Sequence, residues 1–491
     1  MSRTTTRLLA GLVIGGALAA CSAAPEPDTL SFGPDGVGGT PTATAGTLPT
    51  GGPVAPGTTP TGATSGGVPG TTTAGTTTGT TGSSTGGTTA GTGGTTGGTT
   101  GGTTSHLFSD AEDRLGITPT SITMCAHAAL TYGSVFQTTA DDFNVFWDAI
   151  NEEKGGIYGR EVTVTYENDN YDPNTAVEAA TACKRKGIFM LLGGIGFDQI
   201  PTVRNWAETN HQLYLHHTAT VKGSEGLQYS FTELPSVERM GEGFGQLYLS
   251  RYSGKKVGVV ERDSANWKPG AAEFRRMLSA AGVSVVKDNL VPDKKHNYTQ
   301  DILDMKNAGA EVVFLWENAL NSTEFIVQAK RQSYHPQYLM FPFNLTSQTL
   351  GADALSPPLD GVAMYPAYSY GDYSGSFSAY ADDIRLFEAQ YKKYRSGTDL
   401  TGAAGDLLFL NWTGQKALYA QLLACGKDCT RNTFVDVLTG YHARPTSSAC
   451  VIDFTTGDGH HGAEGLNFMQ TYTAPSGKVN WRNSRACVGR P

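Results

Sequence analysis

The sequence predicts an α/β protein of two lobes, each built on a parallel sheet. Three observations carry that expectation. Apolar strand-like segments alternate with helix-patterned ones from Ser121 onward, the alternation restarts after about Val237, and the residues available for folding, 107–491, suffice for two domains of ordinary size.

The elements follow in order. Ile122 to Ala129 is apolar and small, as suits a strand buried on both faces. Between Asp142 and Glu153, Phe143, Phe146, Trp147 and Ile150 fall at i, i+3, i+4 and i+7, a helical stripe that Gly155-Gly156 ends. Val162 to Tyr166 reads as a second strand, and Asp172-Pro173 supplies an N-cap and a first-turn proline. The helix that follows carries Ala176, Ala180 and Cys183 on one face. Ile188 to Leu192 and Leu213 to His216 read as the third and fourth strands. In the second run, strands are expected at Val257 to Val260, Val283 to Val286, Glu311 to Trp316 and Leu339 to Phe343. Helices are expected around Phe274 to Ala281 and Phe325 to Lys330. Strands joined by helices imply right-handed crossovers, and ligands of such sheets sit beyond the carboxyl ends of the strands.

The first hundred residues are of another kind. Arg3 and Arg7 precede an apolar run from Leu8 to Ala17, too short to span a bilayer and suited to a secretory signal. Its ending, Leu18-Ala19-Ala20-Cys21, resembles a bacterial lipobox, which makes residues 1–20 a lipoprotein signal peptide and Cys21 the lipidated first residue. Between Asp35 and Asp110 there is no Asp, Glu, Lys or Arg, and glycine and threonine dominate. Such a segment buries too little apolar surface to offset its ordering entropy, so residues 21–106 read as a disordered tether. About 75 flexible residues span on the order of 50 Å, enough to hold a folded body away from a membrane. The formal charge is −9, and −11 once Arg3 and Arg7 leave with the leader, which argues against nucleic acid as a partner.

Six cysteines remain after Cys21, an even number that suggests three disulfides in an exported chain, with fifteen connectivities open. Cys425 and Cys429 are near enough to pair across a helix–turn junction; Cys450 would then meet Cys487, and Cys125 would meet Cys183. Structural zinc is the competing reading, disfavoured because a second CxxC-type pair is missing.

Several stretches together resemble one family. Asp148-Ala149-Ile150-Asn151-Glu152-Glu153-Lys154-Gly155-Gly156-Ile157-Tyr158-Gly159-Arg160 is similar to the "aIN..GGi.Gr" stretch of branched-chain amino-acid-type periplasmic binding proteins. The turn Asn168 to Pro173, Gly193-Gly194 after the third strand and His217-Thr218-Ala219-Thr220 after the fourth look like theirs. The resemblance implies two Rossmann-like lobes joined by a three-crossover hinge, the type I periplasmic binding protein fold. Crossings near Val237, Tyr365 and Val451 give lobe 1 as 107–236 with 366–450, and lobe 2 as 237–365 with 451–491. It also implies a role: capturing a small solute for an ABC-type permease, from a lipid anchor on the outer face of a bacterial cell membrane.

In relatives that bind amino acids, a hydroxyl and backbone amides after the third and fourth strands meet the ligand carboxylate. Carried over, these positions are Phe197, Asp198, Thr218 and Thr220, with Phe197 standing where a serine is expected. Near the first crossover Val237 stands beside Glu238, and Asn344 falls where a second acid is expected. Burying an ammonium without a paired carboxylate costs several kcal/mol, so these departures disfavour a standard α-amino acid. Tyr132, Phe136, Phe197 and Trp267 fall on loops at strand ends. The expectation is therefore a cleft that stacks a flat or apolar body, with Asp198, Thr218, Thr220 and Asn344 giving directional hydrogen bonds. The solute would be amino-acid-like, an amide or an aromatic acid.

Enzyme readings find little support. Gly193 to Gly196 lacks the third glycine of a dinucleotide loop, and residues 107–491 contain no Gly-x-Ser-x-Gly elbow, HExxH or phosphate-loop motif. The doublets His216-His217 and His460-His461 face opposite ways on a strand and read as surface or cap histidines, not metal ligands. No cofactor is expected. A sensory receptor module of the same fold is the chief alternative, and an α/β enzyme with an unrecognised site the second.

Overall fold

The computed structural model describes residues 106–132, 136–194, 196–216, 226–292, 295–455 and 460–490. The expected leader, Cys21 and the tether up to Ser105 lie outside the described residues.

The alternation resolves into two separate main sheets. The first has five parallel strands in the order Glu161–Asn168, Ser121–Ala128, Leu191–Gly193, Tyr214–His216 and Ser230–Thr232. The second runs Val285–Val291, Val257–Arg262, Val312–Trp316, Gln337–Met340 and Asp360–Ala363, also parallel. It is extended at one edge by the antiparallel hairpin Leu466–Thr473 and Val479–Val488. Within each run the order is second, first, third, fourth, fifth, so each sheet has a topological switch point between its first and third strands.

Local chemistry fixes the helices. Thr139 caps Ala140–Lys154 by accepting from the Asp142 N–H, while the Asp142 carboxylate accepts from the Thr139 N–H at 2.9 Å, a reciprocal capping box. Gly155, at φ 69°, ends that helix in the left-handed region open to glycine. Asp172 accepts from the Asn174 and Thr175 N–H groups at 3.0 and 2.9 Å and starts Pro173–Arg185. The Ala176, Ala180 and Cys183 face of that helix is buried against the sheet. Cys183 is bonded to Cys125 there, their Cα atoms 5.5 Å apart. Cys425 is bonded to Cys429 and Cys450 to Cys487.

The first sheet also depends on chain from far downstream. From the helix Ala404–Cys425, Gln415 donates to the Phe143 carbonyl at 2.7 Å and to the Tyr166 hydroxyl at 3.0 Å. The Tyr391 hydroxyl, on Ala381–Tyr394, donates to the Asp142 carbonyl at 2.5 Å. The second sheet is covered in part by Val237–Arg251, which crosses Lys268–Ala280 so closely that a Cβ on Gly241 would lie 1.8 Å from the Gly270 carbonyl. Arg239 ties the start of that helix to the C-terminal hairpin through the Glu464 and Val488 carbonyls, each at 3.0 Å. No helix among the described residues is long and apolar enough to cross a membrane.

Candidate functional site

A cavity of about 780 Å³ lies where the carboxyl ends of the two sheets face each other. The first sheet contributes the turn Asn170 to Pro173 and the loop carrying Phe197 and Asp198. The second contributes the segment from Arg262 to Trp267, which follows its first strand, and Asn318 to Asn321, which follow its third. These second-sheet segments flank the switch point, where strands diverge and leave room for a ligand.

Asp198 occupies the N-cap position of Gln199–Thr209 but makes no capping bond with its side chain. The carboxylate reaches across the gap, with Oδ2 3.1 Å from Arg262 Nη1 and Oδ1 accepting from Ser264 Oγ at 3.2 Å. Phe197 crosses beside it, its ring edge-on to Trp267 at 4.9 Å and to Phe341 at 5.6 Å. The Arg262 guanidinium lies over the Trp267 ring, 5.4 Å from its centre. Trp267 is held in turn by Trp316, whose indole N–H donates to the Trp267 carbonyl at 2.5 Å. An ion pair and a group of edge-to-face rings therefore join the two halves at one side of the cavity.

The turn at the opposite wall has a buried support. Asn170 and Tyr171 both lie at positive φ, 50° and 57°, a region non-glycine residues enter only when neighbours hold them. Asn168 Oδ1 accepts from the Asn170 N–H at 3.1 Å, and Asp169 Oδ1 from the Tyr171 N–H at 2.9 Å. The other Asp169 oxygen lies 2.8 Å from His127 Nδ1, and His127 Nε2 lies 2.7 Å from the Tyr214 hydroxyl. An acceptor-only carboxylate takes the proton of Nδ1, so Nε2 of a neutral imidazole accepts from Tyr214. Burial holds the Tyr214 phenol well above its ordinary pKa, which keeps that donor proton in place. The chain Asp169–His127–Tyr214 positions Tyr171 at the wall without reaching the cavity itself.

The expected site residues divide. Phe197, Asp198 and Trp267 line the cavity. Thr218 and Thr220 lie outside the described residues. Tyr132 and Phe136 sit on a short antiparallel pair, Thr131–Tyr132 with Phe136–Gln137, and Phe136 and the side chain of Tyr132 are likewise not among the described side chains. Asn344 is a correction. It is buried away from the cavity, its amide donating to Asp406 Oδ1 at 2.7 Å and to the Tyr368 carbonyl at 3.1 Å, while its Oδ1 accepts from the Trp481 N–H at 3.1 Å. Its backbone N–H also donates to Asp406, at 2.7 Å. With these bonds made, the side chain serves the packing between the helices beginning at Asn344 and Ala404, not a solute. His216 is a second correction: it is buried beneath the sheet end, 4.8 Å from the Tyr214 ring, instead of lying at the surface.

Sequence reasoning missed Arg262, Tyr171, Asn318 and Glu324 on the wall. Arg262 had a signal, a charge directly after an apolar strand, and Tyr171 stood inside the turn already singled out.

Two doubly wound halves whose carboxyl ends enclose one cavity define a two-lobed solute-binding protein. Residues 131–476 match the family model described as Periplasmic binding protein. The chain belongs to that family, in its branched-chain amino-acid type, and is a solute-binding protein, not an enzyme. Leu/Ile/Val-binding protein homolog 8 of Brucella suis is 24% identical, over 65% of this chain and 82% of its own length. Among solved structures, a fatty acid ABC transporter substrate-binding protein from Thermomonospora curvata superposes with a TM-score of 0.62 at 13% identity, covering 76% of this chain and 94% of its own. A branched-chain amino acid ABC transporter protein from Thermus thermophilus with bound valine gives 0.61 at 17%, covering 76% and 97%. These structural likenesses establish the fold.

Proposed function

We propose that this chain is the lipid-anchored substrate-binding component of an ABC-type importer, catching one small solute between its lobes by hinge closure. The observation that carries the reading is the cavity of about 780 Å³ walled by both halves at their facing strand ends. In this reading the lobes are 107–236 with 366–450, and 237–365 with 451–491. A solute touching both walls binds the closed form better than the open one, and that difference in affinity drives closure. The aromatic wall suits a flat or apolar body. Cys21, diacylated, would hold the protein at the membrane, and the Gly/Thr-rich tether would let the body reach a permease. The named ligands of the structural neighbours, valine among them, support a solute of this size.

The experiment is a solute screen against the full chain, read by thermal unfolding, followed by uptake in cells carrying or lacking the gene. A ligand at 100 times its Kd adds about 2.7 kcal/mol of stability. Cys21→Ser should release the protein from the membrane fraction while leaving solute affinity unchanged. Unaltered membrane association of that variant refutes the anchor, and unaltered uptake in the deletion strain refutes the importer role.

A further inference from the structure

The contacts that cross the cavity are made by the protein itself, and they bear on how the lobes meet in the hinge-closure reading, on which this inference rests. Asp198 directly precedes the helix Gln199–Thr209, yet its own backbone is helical, at φ −94° and ψ −42°, and its side chain makes no capping bond. A residue serving its own helix would turn its oxygens to the first free amides. Here the carboxylate is turned to the other lobe. Its Oδ2 lies 3.1 Å from Arg262 Nη1, and its Oδ1 accepts from Ser264 Oγ at 3.2 Å.

Arg262 is prepared for that partner. It is the last residue of Val257–Arg262, and its guanidinium lies 5.4 Å from the centre of the Trp267 ring, in its own lobe. Part of its water is therefore displaced before the lobes meet, which reduces the desolvation that normally offsets a shielded ion pair. The pair is shielded: side-chain exposures are 9% for Arg262 and 18% for Asp198. A second contact of different chemistry lies beside it. Phe197, the neighbour of Asp198, meets Trp267 edge-on at 4.9 Å and Phe341 at 5.6 Å. Both contacts are lost if the lobes swing apart, and both fix the angle at which the lobes come together.

We propose that Asp198 and Arg262 form a built-in latch, positioning residues whose ion pair favours the closed arrangement of the lobes independently of any solute, with Phe197 against Trp267 as its apolar companion. A solute then has to provide only the rest of the closing free energy, and its apparent affinity follows the strength of the latch as well as its own contacts.

The test measures the distance between the lobes in the full chain with no solute added. Spin labels are carried on ketone-bearing residues introduced at the exposed positions Glu178 and Leu303, which leaves the cysteines untouched. These positions lie on Pro173–Arg185 and Thr299–Asn307, helices that follow the two cavity walls at Pro173 and His296. Pulsed dipolar spectroscopy then gives the distribution of distances, the short ones being those of the structure. Asp198→Asn removes one charge while keeping the side chain's shape, and Arg262→Gln removes the other. Each should lower the ratio of short to long distances roughly tenfold. The double variant should go no further than either alone, because the pair is already lost. Additive shifts, unchanged distances in both single variants, or a parent that shows only the long distance would each overturn the latch. Asp198→Asn combined with Phe197→Ala then separates the two readings. A lengthening in that variant leaves hinge closure standing on other contacts, whereas one fixed distance in the parent and every variant removes hinge closure as well.

Discussion

Replacing Asn344 by alanine should cost stability and spare the binding site, and the size of the loss follows from the bonds removed. The side chain is buried and makes three hydrogen bonds: to Asp406, to the Tyr368 carbonyl and from the Trp481 N–H. Each partner is left buried with one bond fewer, at about 1–3 kcal/mol for a group left unsatisfied and less for one that keeps another partner. Asp406 retains the Asn344 backbone N–H and the Tyr368 carbonyl is the mildest case, so the total is about 3–5 kcal/mol. At about 2.1 cal/mol/K of unfolding entropy per residue, a body of this size loses about 4–6 °C in Tm. Urea denaturation followed by tryptophan fluorescence gives the free energy, and titration with a confirmed solute gives the affinity. Affinity should hold within twofold. A loss under 1 kcal/mol accompanied by a tenfold fall in affinity would refute the reasoning and return Asn344 to the ligand.

Three further outcomes are expected. Burial pushes the Glu233 carboxyl up to about 8, against Gln421 as its donor, while the unfolded chain releases that proton near 4.5. The folded state therefore holds a proton the unfolded state has lost, and stability falls as pH rises from about 4.5 to 8, by up to ~1.4 kcal/mol per unit. Denaturation at several pH values should show a shallower slope for Glu233→Gln, and an unchanged slope counts against the assignment. Asp406, likewise pushed up to about 8 by burial, should leave part of the slope in place. Removing the Cys125–Cys183 bond in the double alanine variant opens a link across 58 residues and should cost about 4 kcal/mol, measured as a lower urea midpoint without reductant, where the other two disulfides stay intact. Gly241→Ala should destabilise by about 3 kcal/mol or more, since its Cβ would meet the Gly270 carbonyl; a variant melting within a degree of the parent would show that the two helices can part.

The residues that sequence reasoning placed well are those whose roles are local. The Phe143, Phe146, Trp147 and Ile150 stripe lies on Ala140–Lys154, and Asp172 caps the next helix, because helical period and capping are written within a few neighbouring residues. The short strand Leu191–Gly193 was expected from Ile188; the residues before it are equally apolar but pack elsewhere, Phe189 against Phe434. The site was less legible. Asp198 could be read as a helix cap or a ligand contact; its side chain makes no capping bond, and its ion-pair partner Arg262, 64 residues away in another sheet, had no local signal linking the two. Asn344 looked like a loop amide at a strand end, and only the approach of Asp406, Tyr368 and Trp481, each from a different part of the chain, shows why it is buried. His127 carries no local signal at all. Its role comes from Asp169 and Tyr214, which meet only when three strands align.

The reliance of the first sheet on Ala404–Cys425, and of the second on the hairpin ending at Val488, bears on how the molecule comes into being. Neither half can finish its interior while the chain is still emerging, since each waits for a stretch synthesised late. A product ending before Ala381 would leave Phe143 and Tyr166 uncovered and should be cleared by proteases instead of accumulating as a free half. Assembly thus becomes an all-or-nothing event that begins only when synthesis is nearly over.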